Sequence, residues 1–151
     1  MPDATDRRIL RQYLADPDQP MTELAERAGV TQATLWRRLD KMRQSGVIRG
    51  QTVRIDWRRM GYEVEVSLRF TLDKSSPRAF DDFTEAAREV PEVIEIQTFL
   101  GSVDFRLSVI ARDMAHWQQI YRSRILTLPH VETSDALMLV TTVKHSDALP
   151  L

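Results

Sequence analysis

The sequence predicts an α+β protein in two parts, a winged helix-turn-helix over residues 1–60 followed by a βαββαβ ferredoxin-like domain over residues 61–151. Three observations predict it. The length suits one ordinary domain or two small ones, the apolar period changes from helical to alternating near Gly61, and the charge is divided unequally. Residues 1–60 hold twelve Lys and Arg against eight Asp and Glu, net +4, and residues 61–151 hold nine against fourteen, net −5. The chain's overall −1 conceals this. Such asymmetry is expected when one half meets phosphates and the other does not, although a solvated charged surface accounts for the charge alone equally well.

The elements of the first half follow in order. After Asp6, the residues Ile9, Leu10, Tyr13 and Leu14 recur at helical spacing, and Pro17 and Pro20 end that helix. Thr22 is a candidate cap for a second, short helix that carries Leu24, Ala25 and Ala28 on one face, with Gly29 supplying the positive φ of a tight exit. Thr31 caps a third. Its Leu35, Leu39 and Met42 stand at i, i+4 and i+7 and face the other two helices, which leaves Gln32, Thr34, Trp36, Arg37, Arg38 and Lys41 on the remaining surfaces until Gly46 closes the helix. A short helix, a tight glycine turn and a further helix that starts polar and continues with arginines form the helix-turn-helix pattern, in which the later helix presents side chains to base edges. Bundles that bind nothing share the pattern. The segment from Val47 to Asp56 then alternates Ile48, Val53 and Ile55 with polar residues and turns at Gly50, which predicts a two-stranded wing with Arg49 and Arg54 outward.

In the second half, Val64, Val66, Leu68, Phe70 and Leu72 alternate with Glu65, Ser67, Arg69 and Thr71, the period of a half-buried strand. Ser76-Pro77 opens a helix with a buried stripe of Phe80, Phe83, Ala87 and Val90, ended by Pro91. Strands over 93–100 and 105–111 flank a Gly101-Ser102-Val103-Asp104 loop. Another helix carries Trp117, Ile120, Tyr121 and Leu126 as far as Pro129, and a last strand covers 131–143. The run Ala136-Leu137-Met138-Leu139-Val140 is apolar on both faces, which predicts sheet-to-sheet dimerisation.

Several classes of chemistry have no support. The chain contains no cysteine, so disulfides, thiolate metal sites and cysteine nucleophiles are excluded, and a reducing cytoplasm is compatible. No apolar run approaches the roughly 18 residues of a membrane span, and MPDATDRR has no signal core. His116, His130 and His145 lack metal-ligand spacing, and the acidic cluster Asp81, Asp82 and Glu85 falls on an exposed helix face. No P-loop, dinucleotide fingerprint or nucleophile elbow occurs. No cofactor or metal is expected.

The chain resembles the Lrp/AsnC family of prokaryotic transcriptional regulators over nearly its whole length. The resemblance rests on Asp6 with Ile9-Leu10, Leu24-Ala25 to Gly29-Val30-Thr31, Arg37-Arg38-Leu39, Gly46-Val47-Ile48 with Gly50, Ile55-Asp56, Gly61, Gly101-x-x-Asp104, Val131, Lys144 and Leu149-Pro150-Leu151. Their order, and their reaching the last residue, lead us to expect a complete chain. The resemblance implies a cytoplasmic regulator that binds double-stranded DNA, forms homodimers assembling to tetramers or octamers, and responds to an amino acid or similar effector held between C-terminal domains. Direct DNA contact is expected from Gln32, Thr34, Trp36, Arg37 and Arg38, with Lys41, Arg49 and Arg54 as phosphate partners. Trp36 departs from the smaller residue usual in the family, and core packing suits it as well as base contact. Asp40 replaces a frequent basic residue. The effector is expected against Gly101, Ser102, Val103 and Asp104 and against Thr133, Ser134, Asp135 and Ala136, where Ser102 and Ala136 depart from common family residues. The Asp104 carboxylate suits an α-ammonium or backbone amides, and equally the simple organisation of its turn.

Two alternatives share the architecture. The AsnC-like siroheme decarboxylases use a His and Tyr motif near the second strand of the C-terminal domain, and this chain has Glu95-Ile96-Gln97-Thr98-Phe99 there. A DNA-packaging protein without an effector would differ from a local regulator chiefly in its number of sites.

Overall fold

The computed structural model describes residues 1–146 and 149–150. Leu151, the last residue of the Leu149-Pro150-Leu151 landmark, lies outside the described residues. Packing, a different criterion from the functional division at residue 60, groups Met1–Arg54 with the described residues from Val143 onward, and groups Ile55–Thr142 separately.

The first unit is built on helices α1 (Ala4–Ala15), α2 (Met21–Ala28) and α3 (Gln32–Gln44). Helix α1 begins two residues before the Asp6 that signalled it. Asp3 is the cap: its carboxylate accepts from the Thr5 and Asp6 amides while Asp6 accepts from the Asp3 amide, a capping box built of two aspartates. Helix α2 starts at Met21 after Pro20, with no side-chain cap, so Thr22 lies inside the helix rather than at its cap. The exit from α2 is as expected. Gly29 takes φ +65°, and the Val30 amide returns to the Ala25 carbonyl at 2.9 Å, turning the chain within three residues into α3, where Thr31 caps the Thr34 amide. Ile9, Leu10, Tyr13, Leu24, Ala25, Ala28, Leu35, Leu39 and Met42 form the core of this unit.

The predicted wing strands do not form. Residues 47–56 carry no strand, and Val53 and Ile55 are 82% and 59% exposed. The sequence alternates, but the ladder's donors are used elsewhere. The Ile48 amide bonds the Met42 carbonyl at 3.0 Å and folds the chain back onto the end of α3, while the Gln51 amide side chain donates to the Tyr13 hydroxyl at 2.6 Å. An isolated two-stranded hairpin is marginal in water, and these contacts hold the segment as an anchored loop instead.

The second unit has the predicted βαββαβ order: β1 (Val64–Leu72), α4 (Ala79–Arg88), β2 (Val93–Thr98), β3 (Phe105–Ala111), α5 (Met114–Ile120) and β4 (Val131–Met138). All strand pairs are antiparallel, in the spatial order β2-β3-β1-β4. Val66, Leu68, Phe70 and Leu72 of β1 and Phe105, Leu107, Val109 and Ala111 of β3 pack beneath the helices, with Phe70, Phe83 and Phe105 in ring contact. Two helical stripes differ from expectation. Phe80 is 39% exposed, with its ring against that of Phe105, and Ala79 takes the buried position beside Phe83. After α5 the helix widens into a π turn at Tyr121–Ile125, which accommodates one extra residue, so Ile125 turns inward and Leu126 is left 60% exposed. Strands β2 and β4 end two and five residues earlier than the apolar runs suggested, at Thr98 and Met138. Strand β4 is the exposed edge, and its Leu137 and Met138, with Leu139 just beyond, are 37–44% accessible.

Candidate DNA and effector sites

Helix α3 is held by one face. Leu35, Leu39 and Met42 are buried, which turns Gln32, Ala33, Trp36, Arg37, Asp40, Lys41, Arg43 and Gln44 outward. Trp36 is 52% exposed, so it packs outside the core. Arg37 and Lys41 engage no protein partner among the described residues and are free to meet phosphates or base edges. Thr34 lies at the first turn and receives the Thr31 hydroxyl at 3.0 Å. Arg43, one of the basic residues of this segment that was not assigned to DNA from the sequence, shares this exposed surface.

Arg38 is placed differently. Its guanidinium donates to the Asp3 carboxylate and, at 3.0 Å, to that of Asp6, whose side chain is only 8% exposed. The capping box of α1 therefore doubles as an anion that grips α3. Bonding to Arg38, and then to the Asp6 amide, lowers the Asp3 carboxyl from 3.8 to about 2. The two groups engaged by Arg38 are the cap and the first turn of α1, so its charge ties α3 to the start of α1. Arg49 and Arg54 lie on the exposed segment after α3.

In the second unit, the four loop residues and β4 are brought to one end of the sheet. Ser102, Val103, Thr133, Ser134 and Asp135 line a recess of about 230 Å³ together with Arg69, Phe70 and Thr71 of β1. The Thr71 and Thr133 hydroxyls are hydrogen-bonded across the β1–β4 pair. Gly101 and Ala136 are outside this lining. Asp104 is turned inward instead: its carboxylate accepts from the Leu72 amide at 2.8 Å and pairs with Lys74 at 2.9 Å. Burial pushes its pKa up, but the Leu72 amide and the Lys74 ammonium outweigh this and hold it below the ordinary value. Asp104 organises the loop by joining it to the end of β1.

The sequence reading missed Arg69, Gln97, Phe99 and Arg106, which line an adjoining recess of about 430 Å³ with Val103. Their alternation placed Arg69 on the polar face of β1, but only strand register brings it opposite Arg106 on one side and Asp135 on the other. Among the described residues no group of His, Cys, Asp and Glu is arranged to hold a metal ion, and no helix is long and apolar enough to cross a membrane.

A helix-turn-helix with an uncommitted basic helix face, joined in one chain to a ferredoxin-like domain with a polar recess at its loop end, defines a ligand-responsive DNA-binding protein. Residues 65–149 match the Lrp/AsnC ligand binding domain and residues 2–49 the winged helix-turn-helix DNA-binding domain. The chain belongs to the Lrp/AsnC family of transcriptional regulators. It is 31% identical to the proline dehydrogenase transcriptional activator of Rhodobacter capsulatus over 93% of this chain and 92% of that one. It is 29% identical to the regulatory protein AsnC of Haemophilus influenzae, over 90% and 89%. Among solved structures, an AsnC family regulator from Agrobacterium tumefaciens superposes with a TM-score of 0.86 at 28% identity, covering 98% of this chain and 96% of that one. A Neisseria meningitidis regulator, whose structure is a complex with L-Met, gives 0.89 at 23% identity over 98% and 96%, a likeness of fold.

Proposed function

We propose that this protein is a cytoplasmic regulator that reads double-stranded DNA through α3 and is controlled by an amino acid bound at the recess beside Ser102 and Val103. One observation carries the reading: the recess sets a cation, Arg69, against a carboxylate, Asp135, with the hydroxyls of Thr71, Ser102, Thr133 and Ser134 around them. Arg69 and Asp135 are opposite in register yet joined by no ion pair, so each remains available to one end of a zwitterion. The Neisseria relative of this fold holds L-Met, which supports an amino acid as the ligand class. Gln32, Thr34, Trp36 and Arg37 are assigned to base edges, and Lys41, Arg49 and Arg54 to phosphates. Arg38 acts through α1. The exposed β4 supports a homodimer, with tetramers or octamers built from it. The role is binding rather than catalysis, and Glu95-Ile96-Gln97-Thr98-Phe99 lacks the His and Tyr of the decarboxylase alternative.

The test is a fluorescence-anisotropy titration on DNA taken from upstream of the protein's own gene, at fixed salt. Arg37→Ala is expected to weaken specific binding by about 1–3 kcal/mol, roughly 5- to 150-fold, and to relax preference at one base position. Unchanged affinity and preference would remove α3 from the interface.

A further inference from the structure

We infer that the effector is a dicarboxylic amino acid of about glutamate length, a conclusion that rests on the reading of the Ser102–Val103 recess as an amino-acid site. The second recess adjoins the first, and Arg69 and Val103 line both. Its far wall is Arg106. Strands β1 and β3 place Arg69 directly opposite Arg106. Like charges facing each other across a strand pair are destabilising unless an anion lies between them.

The second guanidinium is held in position. Arg106 donates through Nε to Gln97 Oε1 at 2.9 Å and through Nη2 to Glu95 Oε2 at 2.8 Å, while Gln97 Nε2 donates to Glu95 Oε1 at 3.0 Å. This triangle fixes one edge of the planar group, and its Nη1 has no protein acceptor among the described residues. Arg69 engages no protein partner there either. An aliphatic side chain seated in this recess would strip water from the Arg69 guanidinium and from the free Nη1 of the Glu95-paired Arg106 and return nothing, whereas a carboxylate suits the fork of a guanidinium. The ammonium then meets Asp135, the α-carboxylate meets Arg69 at the shared wall, and the side-chain carboxylate meets Arg106. Neighbouring strands are about 4.8 Å apart, a step that two methylenes span better than one. Phe99 and Val103 supply the apolar walls for those methylenes.

Thermal melting of the full-length protein with millimolar L-glutamate, L-aspartate, L-glutamine, L-leucine or L-methionine tests this, because a ligand of the folded state raises the midpoint. We expect glutamate to raise it most and to bind roughly tenfold more tightly than glutamine or leucine, the value of a charge-assisted contact. Arg106→Gln should bring the affinities for glutamate and glutamine to within about twofold of each other. Gln97→Leu, which frees one edge of Arg106 without removing a charge, should reduce the same preference. Stabilisation by leucine or methionine with none by glutamate would overturn the dicarboxylate inference while leaving the amino-acid site standing. No shift with any of these five amino acids would overturn both.

Discussion

At the scale of single residues, carboxylates decide the most. Asp104 is buried and satisfies the Leu72 amide, so Asp104→Ala leaves a buried donor unpaired and should cost about 1–3 kcal/mol in urea unfolding, with Asp104→Asn costing less. Asp3 is one contributor to acid stability. Its folded pKa lies below its ordinary 3.8, so its contribution is fully present above pH 3.8 and is lost as the pH falls through about 2. Melting midpoints between pH 4 and pH 2 should fall less steeply in Arg38→Ala than in the parent, since the variant has already lost the partner that lowers Asp3. Both roles were hidden in the sequence for the same reason. Asp104 read as a loop aspartate and Arg38 as one of a run of basic residues, and only the approach of Leu72, or of the start of α1, shows what each one serves. The outward placement of Arg37 and Lys41 was legible because it follows from helix period alone.

At the scale of elements, period and turn chemistry revealed most of the order. Gly29 takes a positive φ in open space, where an added Cβ would meet nothing within 4 Å. Gly29→Ala therefore tests backbone conformation without a steric clash. It should destabilise the first unit by about 1–2 kcal/mol, measurable by circular dichroism melting, with Gly29→Asn milder. Where the sequence misled, a hydrogen bond outside the local pattern was responsible. The wing alternates correctly but spends its Ile48 amide on α3, and the α5 stripe is offset because one backbone turn is wider than an α turn. Neither leaves a trace in hydrophobic periodicity. The recess proposed for the effector was half legible: the loop and β4 residues follow from their places in the chain, whereas Arg69 and Arg106 required the register of three strands.

At the scale of the molecule, the divided charge and the exposed edge strand belong together. The DNA-binding unit we propose is basic and the unit proposed to associate with copies of itself is acidic, and the charge changes sign across Ile55. Leu137→Lys, on the open face of β4, should shift sedimentation toward the monomer and leave the monomer's helical signal intact; an unchanged assembly would place the interface elsewhere. The first half of the same strand carries Thr133, Ser134 and Asp135, which line the recess, and its end carries the apolar residues through which we propose copies meet. Binding and association thus draw on one set of backbone positions. If the ligand favours the assembled form by some factor, assembly must favour the ligand by that same factor, so the effector concentration for half-saturation becomes a function of how much protein the cell makes. A cell that changes expression of this regulator would retune its sensor without altering a residue.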